Sequence, residues 1–412
     1  MNFPLGVATG ENFCGRKSDL RVVGNKLVNH RNVWMQGEHR VGLTSYLLRL
    51  QQYLEKKHKA PTEILDIGKY GDNHTLQCAL VQTYADLAEK IIKQQSPLQH
   101  TARMVKNVFS RYIPGLSFEA MGVKINLATL DTSNNQHVLN AELGLRQIML
   151  DHPGTNASLL VDGLEQLNQV DTANDNIGRH FKTLLESNPV SVVLAGSTPE
   201  LLQQAGGSQS QMDLYTRCDK VPLGRIPTKD WVPFIKEKFL AQHGSILSTE
   251  SARFLLGLAE NSTEHVVGLA QSLLEADPKL LSNDESIREH LRSTWMKIVS
   301  NNIINLDFSL WELDGEHSRR LLEALSKNGA MRSEALTQTV PGATPEDITQ
   351  LMMNGYLTQD KVGCRLRLNS PLLKTYLSLD DGLGVLSCLN ENCADNEECR
   401  PENNANASEP EL

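Results

Sequence analysis

The residues best placed to do chemistry lie in Gly37-Glu-His-Arg40-Val-Gly42-Leu43-Thr44-Ser45, where two glycines precede a pair of hydroxyls. A loop that cradles phosphate needs glycines so that backbone N–H groups turn toward the ligand. It also needs a lysine to bridge the β- and γ-phosphates and a hydroxyl for Mg²⁺. Gly37 and Gly42 meet the first requirement and Thr44 the last, while Leu43 stands where the lysine belongs. Two glycines at this spacing also occur in ordinary turns, so context must carry the match. An apolar run ahead of the loop reads as a strand, and an amphipathic helix follows from Tyr46. Farther on, Leu-Leu-Val-Asp162 is an apolar strand ending in an acid, the place of the Mg²⁺-organising aspartate in nucleotide hydrolases. The glutamate that usually follows to orient the attacking water is Gly163 here.

These groups need a scaffold. Short, continuous apolar runs at 32–36, 63–67, 157–162 and 190–197 read as strands of a parallel sheet buried on both faces. Helical spacing at 75–94 and 174–186 supplies covering layers, and Leu20, Val23 and Leu27 share one face of a helix before the first strand. The fold class predicted is α/β: a three-layer P-loop NTPase domain over 1–226, with a helical lid and a C-terminal winged helix-turn-helix. The lid spans 227–310, because helical segments at 231–243, 249–260, 263–275 and 284–304 follow Pro227 without further strands. The winged helix spans 311–377, from helices at 318–327, 332–338 and 345–354 and two short strands within 356–368. An Asn/Glu-rich stretch over 378–412 reads as a disordered acidic tail.

Two further segments complete a frame: Gly10-Glu-Asn-Phe13-Cys-Gly15-Arg16 ahead of the first strand, and Ala195-Gly196-Ser197 at the end of another. With them the chain resembles archaeal-type AAA+ ATPases of the STAND class over most of residues 5–377. The first segment is similar to the family's box beside the adenine, and Gly37 to Ser45 to its phosphate loop with Arg40 retained. Leu-Leu-Val-Asp162 resembles its acidic strand and 195–197 its sensor strand. The resemblance implies ATP or ADP with Mg²⁺ as ligand. It implies Arg16 beside the base, Gly37, Arg40, Gly42, Thr44 and Ser45 around the phosphates, Thr44 and Asp162 toward Mg²⁺, and Ser197 as sensor of the γ-phosphate. The family's lysine and glutamate do not carry over, and Arg217 is offered as an arginine finger.

A charge-assisted contact to phosphate contributes about 1.5–3 kcal/mol. At about 1.4 kcal/mol per factor of ten, losing both groups slows hydrolysis by several orders of magnitude. Compensation would require Arg40 or Lys69 to reach the phosphates and Glu165 to hold a water. The function expected is therefore a degenerate nucleotide-binding regulator with little or no hydrolysis, acting as a switch or scaffold. Other readings stay open: an emptied loop keeping only its structural glycines, a weak ATPase, or a winged-helix DNA-binding regulator in which the ATPase fold is structural. The helix at 345–354 opens with Glu346 and Asp347 and holds no Lys or Arg, whereas Lys361, Arg365 and Arg367 in the wing offer contact with DNA backbone. Protein contact or autoinhibition is the competing role.

Composition narrows the field further. The net charge is −9, and nine acidic residues against Arg400 from Asp380 onward leave the body close to neutral, unlike a generic polyanion binder. The seven cysteines lack paired C-x-x-C spacing, so reduced thiols and no metal cluster are expected. No apolar run of about 18 residues and no basic-then-apolar start are present, which predicts a cytoplasmic protein without membrane contact. Partners expected are a second copy or another protein, and DNA through the winged helix.

Overall fold

The computed structural model describes residues 7–38, 40–95, 98–119, 123–126, 136–167, 176–187, 190–197, 214–311, 313, 316–359 and 364–379. Lys361 and the acidic stretch 380–412 lie outside them. The chain divides into two compact units, Met1–Leu291 with Met352–Gly355, and Arg292–Leu351 with Tyr356–Leu412.

Five parallel strands organise the first unit: β1 (Val33–Gly37), β2 (Thr62–Asp66), β3 (Ser158–Asp162), β4 (Ser191–Ser197) and β5 (Asp219–Leu223), in the order β2-β3-β4-β1-β5. Alternate residues of each strand face opposite layers. Met35, Leu160 and Val193 pack with Leu20, Val23, Leu47 and Leu50 from α1 (Lys17–Val28) and α2 (Leu43–Tyr53). Trp34, Leu159, Val161 and Leu194 face the other layer, built by α3 (Asn73–Gln95), α4 (Leu98–Tyr112), α5 (Gln136–Asp151) and α6 (Asn176–Ser187). Each such side chain, withdrawn from water, contributes on the order of 1.5–3 kcal/mol. Every residue of β3 is buried, which is why Ser-Leu-Leu-Val-Asp reads as an unbroken apolar run.

The sheet thus forms a three-layer α/β domain, as the sequence predicts, with one strand the apolar pattern does not reveal. β5 has the sequence Asp-Lys-Val-Pro-Leu, and a proline without an N–H is tolerated because this strand is at the sheet edge. After it come α7 (Thr228–His243), α8 (Thr249–Leu258), α9 (Thr263–Glu275) and α10 (Asp284–Asn301). Gly244 ends α7 in a left-handed turn, and the Ser248 side chain caps α8 by accepting from Ser251 N–H.

The helix expected over 284–304 is divided, because α10 stops at Asn301 and α11 (Ile303–Trp311) follows. The second unit continues through α12 (Glu316–Asn328), β6 (Met331–Arg332), α13 (Ser333–Thr339), α14 (Pro345–Met353), β7 (Leu357–Gln359), β8 (Arg365–Leu368) and α15 (Pro371–Ser378). Its strands form an antiparallel sheet in the order β6-β8-β7. Leu321, Leu325, Leu336, Ile348, Leu366 and Leu368 are buried in this unit. Among the described residues, no helix is long and apolar enough to cross a membrane.

Candidate nucleotide site

β1 brings Gly37 to the C-terminal edge of the sheet, level with Ser197 at the end of β4 and Leu223 at the end of β5. The loop then folds back on itself, Val41 N–H donating to Glu38 O at 3.1 Å. Gly42 has φ of 89° and is the N-cap of α2, and among the described residues no side chain caps the helix. A residue with a Cβ adopts this conformation only with strain, so glycine here has a backbone reason. The uncapped end offers free N–H donors and the positive end of the helix dipole, the arrangement that attracts phosphate.

Thr44, in the first turn of α2, donates from Oγ1 to Asp162 Oδ2 at 2.6 Å. Asp162 ends β3 level with Asp66 at the end of β2, is 6% exposed, and accepts from Gly163 N–H at 3.0 Å. Burial raises its carboxyl pKa, Asp66 and Glu165 add to the rise, and the hydrogen bonds from Thr44 and Gly163 oppose it. Among the described residues, no group of three or more His, Cys, Asp or Glu side chains is placed to hold an ion unaided. Mg²⁺ does not require one, since it characteristically takes one or two carboxylates together with phosphate oxygens and water.

The two positions that depart from the motif differ in kind. Leu43 is half-buried and packs against the apolar cluster formed by α1, α2 and the sheet. Gly163 has φ of 74°, and a Cβ there would stand 3.3 Å from Gly68 N. The chain turns left-handed directly after Asp162, so a glutamate at this position would be strained by the backbone path itself.

The sequence-predicted arginines and lysine are engaged within the protein. Arg16 is 4% exposed, has φ of 59°, and donates from Nη2 to Val41 O at 3.0 Å, bracing the loop from beneath. Burial lowers its pKa, with Asp19 foremost among the groups opposing that shift. Arg40 pairs with Glu264 in the first turn of α9, Lys69 with Asp66 at 3.4 Å, and Arg217 with Glu186 at 2.8 Å. Ser45 Oγ accepts from Ala8 N–H at 2.8 Å, tying the N-terminal segment to α2. For Ser197, the strand places its backbone beside Gly37. In the second unit, Arg365 is exposed and Arg367 half-buried on β8, with Arg332 of β6 paired in register with Arg365.

Sequence reasoning overlooks Arg225, two residues beyond β5. Its side chain is 8% exposed, donating from Nε to Glu38 Oε2 at 2.7 Å and from Nη1 to Glu260 O at 2.9 Å. Thr263 Oγ1 donates to Val41 O at 3.1 Å. The available signal is a lone cation in Leu223-Gly-Arg225-Ile-Pro227; its partners, far away in sequence, carry none.

A five-stranded parallel sheet with helices on both faces and a glycine loop after β1 makes this an AAA+ P-loop fold. Among solved structures, the chain is similar to a Walker-type ATPase of Pyrococcus abyssi, with a TM-score of 0.60 at 14% identity over 92% of this chain and 100% of that one. It is also similar to the ORC2 protein of Aeropyrum pernix, solved in ADPNP–ADP complexes, with a TM-score of 0.54 at 10% identity over 93% of this chain and 98% of that one. At these identities the likeness is one of fold. No protein-family model matches the sequence, and no curated protein does.

Proposed function

We propose that this chain is a nucleotide-holding regulator of the STAND kind, binding ATP or ADP with Mg²⁺ and turning it over little or not at all. The observation that carries the reading is the hydrogen bond between Thr44 and Asp162 beside an uncapped helix end, while Leu43 and Gly163 replace the groups that drive hydrolysis. In this account the backbone of Gly42 to Thr44 receives the phosphates, and Gly37 and Ser45 shape the loop on either side. Arg16 keeps the loop in place beside the base, and Ser197 adjoins the γ-phosphate. Thr44 and Asp162 would hold Mg²⁺, whose charge would neutralise the phosphates in place of the lysine. Retained binding with lost turnover makes the domain a switch or scaffold, acting in the cytoplasm.

A protein partner or a second copy fits one further feature. Ile304, Phe308 and Trp311 share one face of α11 and are 82%, 56% and 81% exposed. Apolar anchors at helical spacing are how one protein surface receives another.

A second reading, DNA contact through a winged helix, is favoured by the adjacent Arg332 and Arg365, with Arg367 on the same strand as Arg365. The acidic opening of α14 has a local cause. The Asp347 carboxylate accepts from Thr344 N–H and hydroxyl, and Thr344 Oγ1 accepts from Asp347 N–H, a reciprocal helix cap.

Calorimetric titration with ADP and ATP, with and without Mg²⁺, tests the leading reading. Saturable binding strengthened by Mg²⁺ and weakened by Thr44→Ala is expected. Absence of binding with either nucleotide contradicts it.

A further inference from the structure

Glu38, Arg40 and Val41 are joined to residues Glu260 to Glu264 by contacts from several directions. Arg225 spans Glu38 and the Glu260 carbonyl, Thr263 holds the Val41 carbonyl, and Arg40 pairs with Glu264. Thr263 also stands over the loop, its Cγ2 3.8 Å from where a Cβ on Gly42 would lie. The segment making these contacts has an unusual backbone, because Glu260 and Asn261 are consecutive non-glycine residues with φ of 46° and 58°. Such conformations persist only where surrounding bonds hold them. Here Glu260 N–H donates to Gly257 O and Asn261 N–H to Leu256 O at the end of α8, and Arg225 donates to Glu260 O and Thr228 to Asn261 Oδ1, the last at 3.3 Å.

We propose that the turn Glu260–Glu264 is a latch on the phosphate loop, with Arg225 as its positioning residue and Glu264 as the carboxylate that a ligand's phosphate displaces from Arg40. The proposal rests on the reading that this loop binds nucleotide. The two cations play different parts because their surroundings differ. Arg225 is 8% exposed, and its planar fork meets two partners at once, a geometry lysine cannot copy. Arg40 and Glu264 are 62% and 40% exposed, so their pairing is weak and readily exchanged. A dianionic phosphate outcompetes one carboxylate for a guanidinium, since it brings more charge and more acceptor oxygens. The loop therefore carries an internal anion at its mouth. A bound nucleotide exchanges it while Arg225 keeps the loop and the turn in register.

The test compares wild type, Glu264→Gln, Arg40→Ala, the double variant and Arg225→Lys by titration with ADP and Mg²⁺, and by hydrogen exchange of ligand-free protein. Glu264→Gln should tighten ADP binding about two- to fivefold by removing the competitor. That gain should vanish in the Arg40→Ala background. In the ligand-free state, Glu264→Gln and Arg225→Lys should speed exchange at 37–44 and 260–266, with no change in the core strand 158–162. If ADP binds wild type and Glu264→Gln equally, or the variant less tightly, the latch is overturned. If no protein binds ADP, the nucleotide reading fails. The exchange arm then decides the latch alone, and unchanged exchange in both variants overturns it.

Discussion

Leu43 and Gly163 stand beside Thr44 and Asp162, and in the function proposed each takes away one element of catalysis while the Thr44–Asp162 contact remains. Their consequences separate on mutation. Leu43→Lys should tighten Mg²⁺–nucleotide binding about tenfold or more, since it adds a charge-assisted contact of about 1.5–3 kcal/mol. Turnover should remain near background because Leu43→Lys does not restore the glutamate that Gly163 replaces, which a steady-state phosphate-release assay would read. Gly163→Glu should instead cost about 1 kcal/mol or more of stability in a urea melt, because a left-handed residue at φ 74° acquires a Cβ. Both departures from the motif are legible in the sequence, since motif spacing fixes the two positions. The left-handed turn at Gly163 and the partner of Arg40 are not. The first is a backbone angle, and the second lies 224 residues away.

Between elements, most of the sheet and the helices from 228 to 275 could be read from apolar runs, helical spacing and breaks at Gly and Pro. β5 lacks those signals because it is short, charged and contains Pro222, whereas α4 and α5 do carry helical spacing, Val105 with Phe109 and Ala141 with Leu145 and Ile148, and add two helices to the covering layer. α3, α5 and α6 also share a buried polar chain that periodicity cannot reveal. Tyr84 OH is 2.5 Å from His180 Nε2, and His180 Nδ1 is 3.4 Å from Glu142 Oε2, within ion-pair range though poorly aimed for a hydrogen bond. Arg146 pairs with the other Glu142 oxygen. Glu142 is 2% exposed, so Arg146→Ala removes a cation from beside a buried carboxylate and should cost about 3 kcal/mol in a denaturant titration. Burial, and then Arg146, lower the His180 pKa to about 3. The unfolded chain binds this proton below about pH 6.5 and the folded chain does not. His180 therefore erodes stability as pH falls from about 6.5 toward 3 and has no effect above that window. His180→Gln should flatten the stability profile across it, which thermal melts at stepped pH would record.

Taken whole, the chain combines a nearly neutral body with negative charge concentrated from Asp380 onward and a small arginine-bearing sheet in its second unit. If that sheet meets DNA, affinity at about 50 mM salt should fall steeply as salt rises. Replacing Arg365 and Arg367 with serine should weaken it for all sequences alike in a mobility-shift titration. Equal binding by wild type and the double variant would remove the wing from the account. The Gly42 helix end and the Thr44–Asp162 pair bear on a different claim, that nucleotide is kept and not consumed. The direct measurement is to load the protein with ATP and Mg²⁺, remove free ligand, incubate it for hours and identify the extracted nucleotide. The function proposed predicts ATP recovered intact in stoichiometric amount; recovery of ADP with released phosphate, or of no nucleotide, would contradict it.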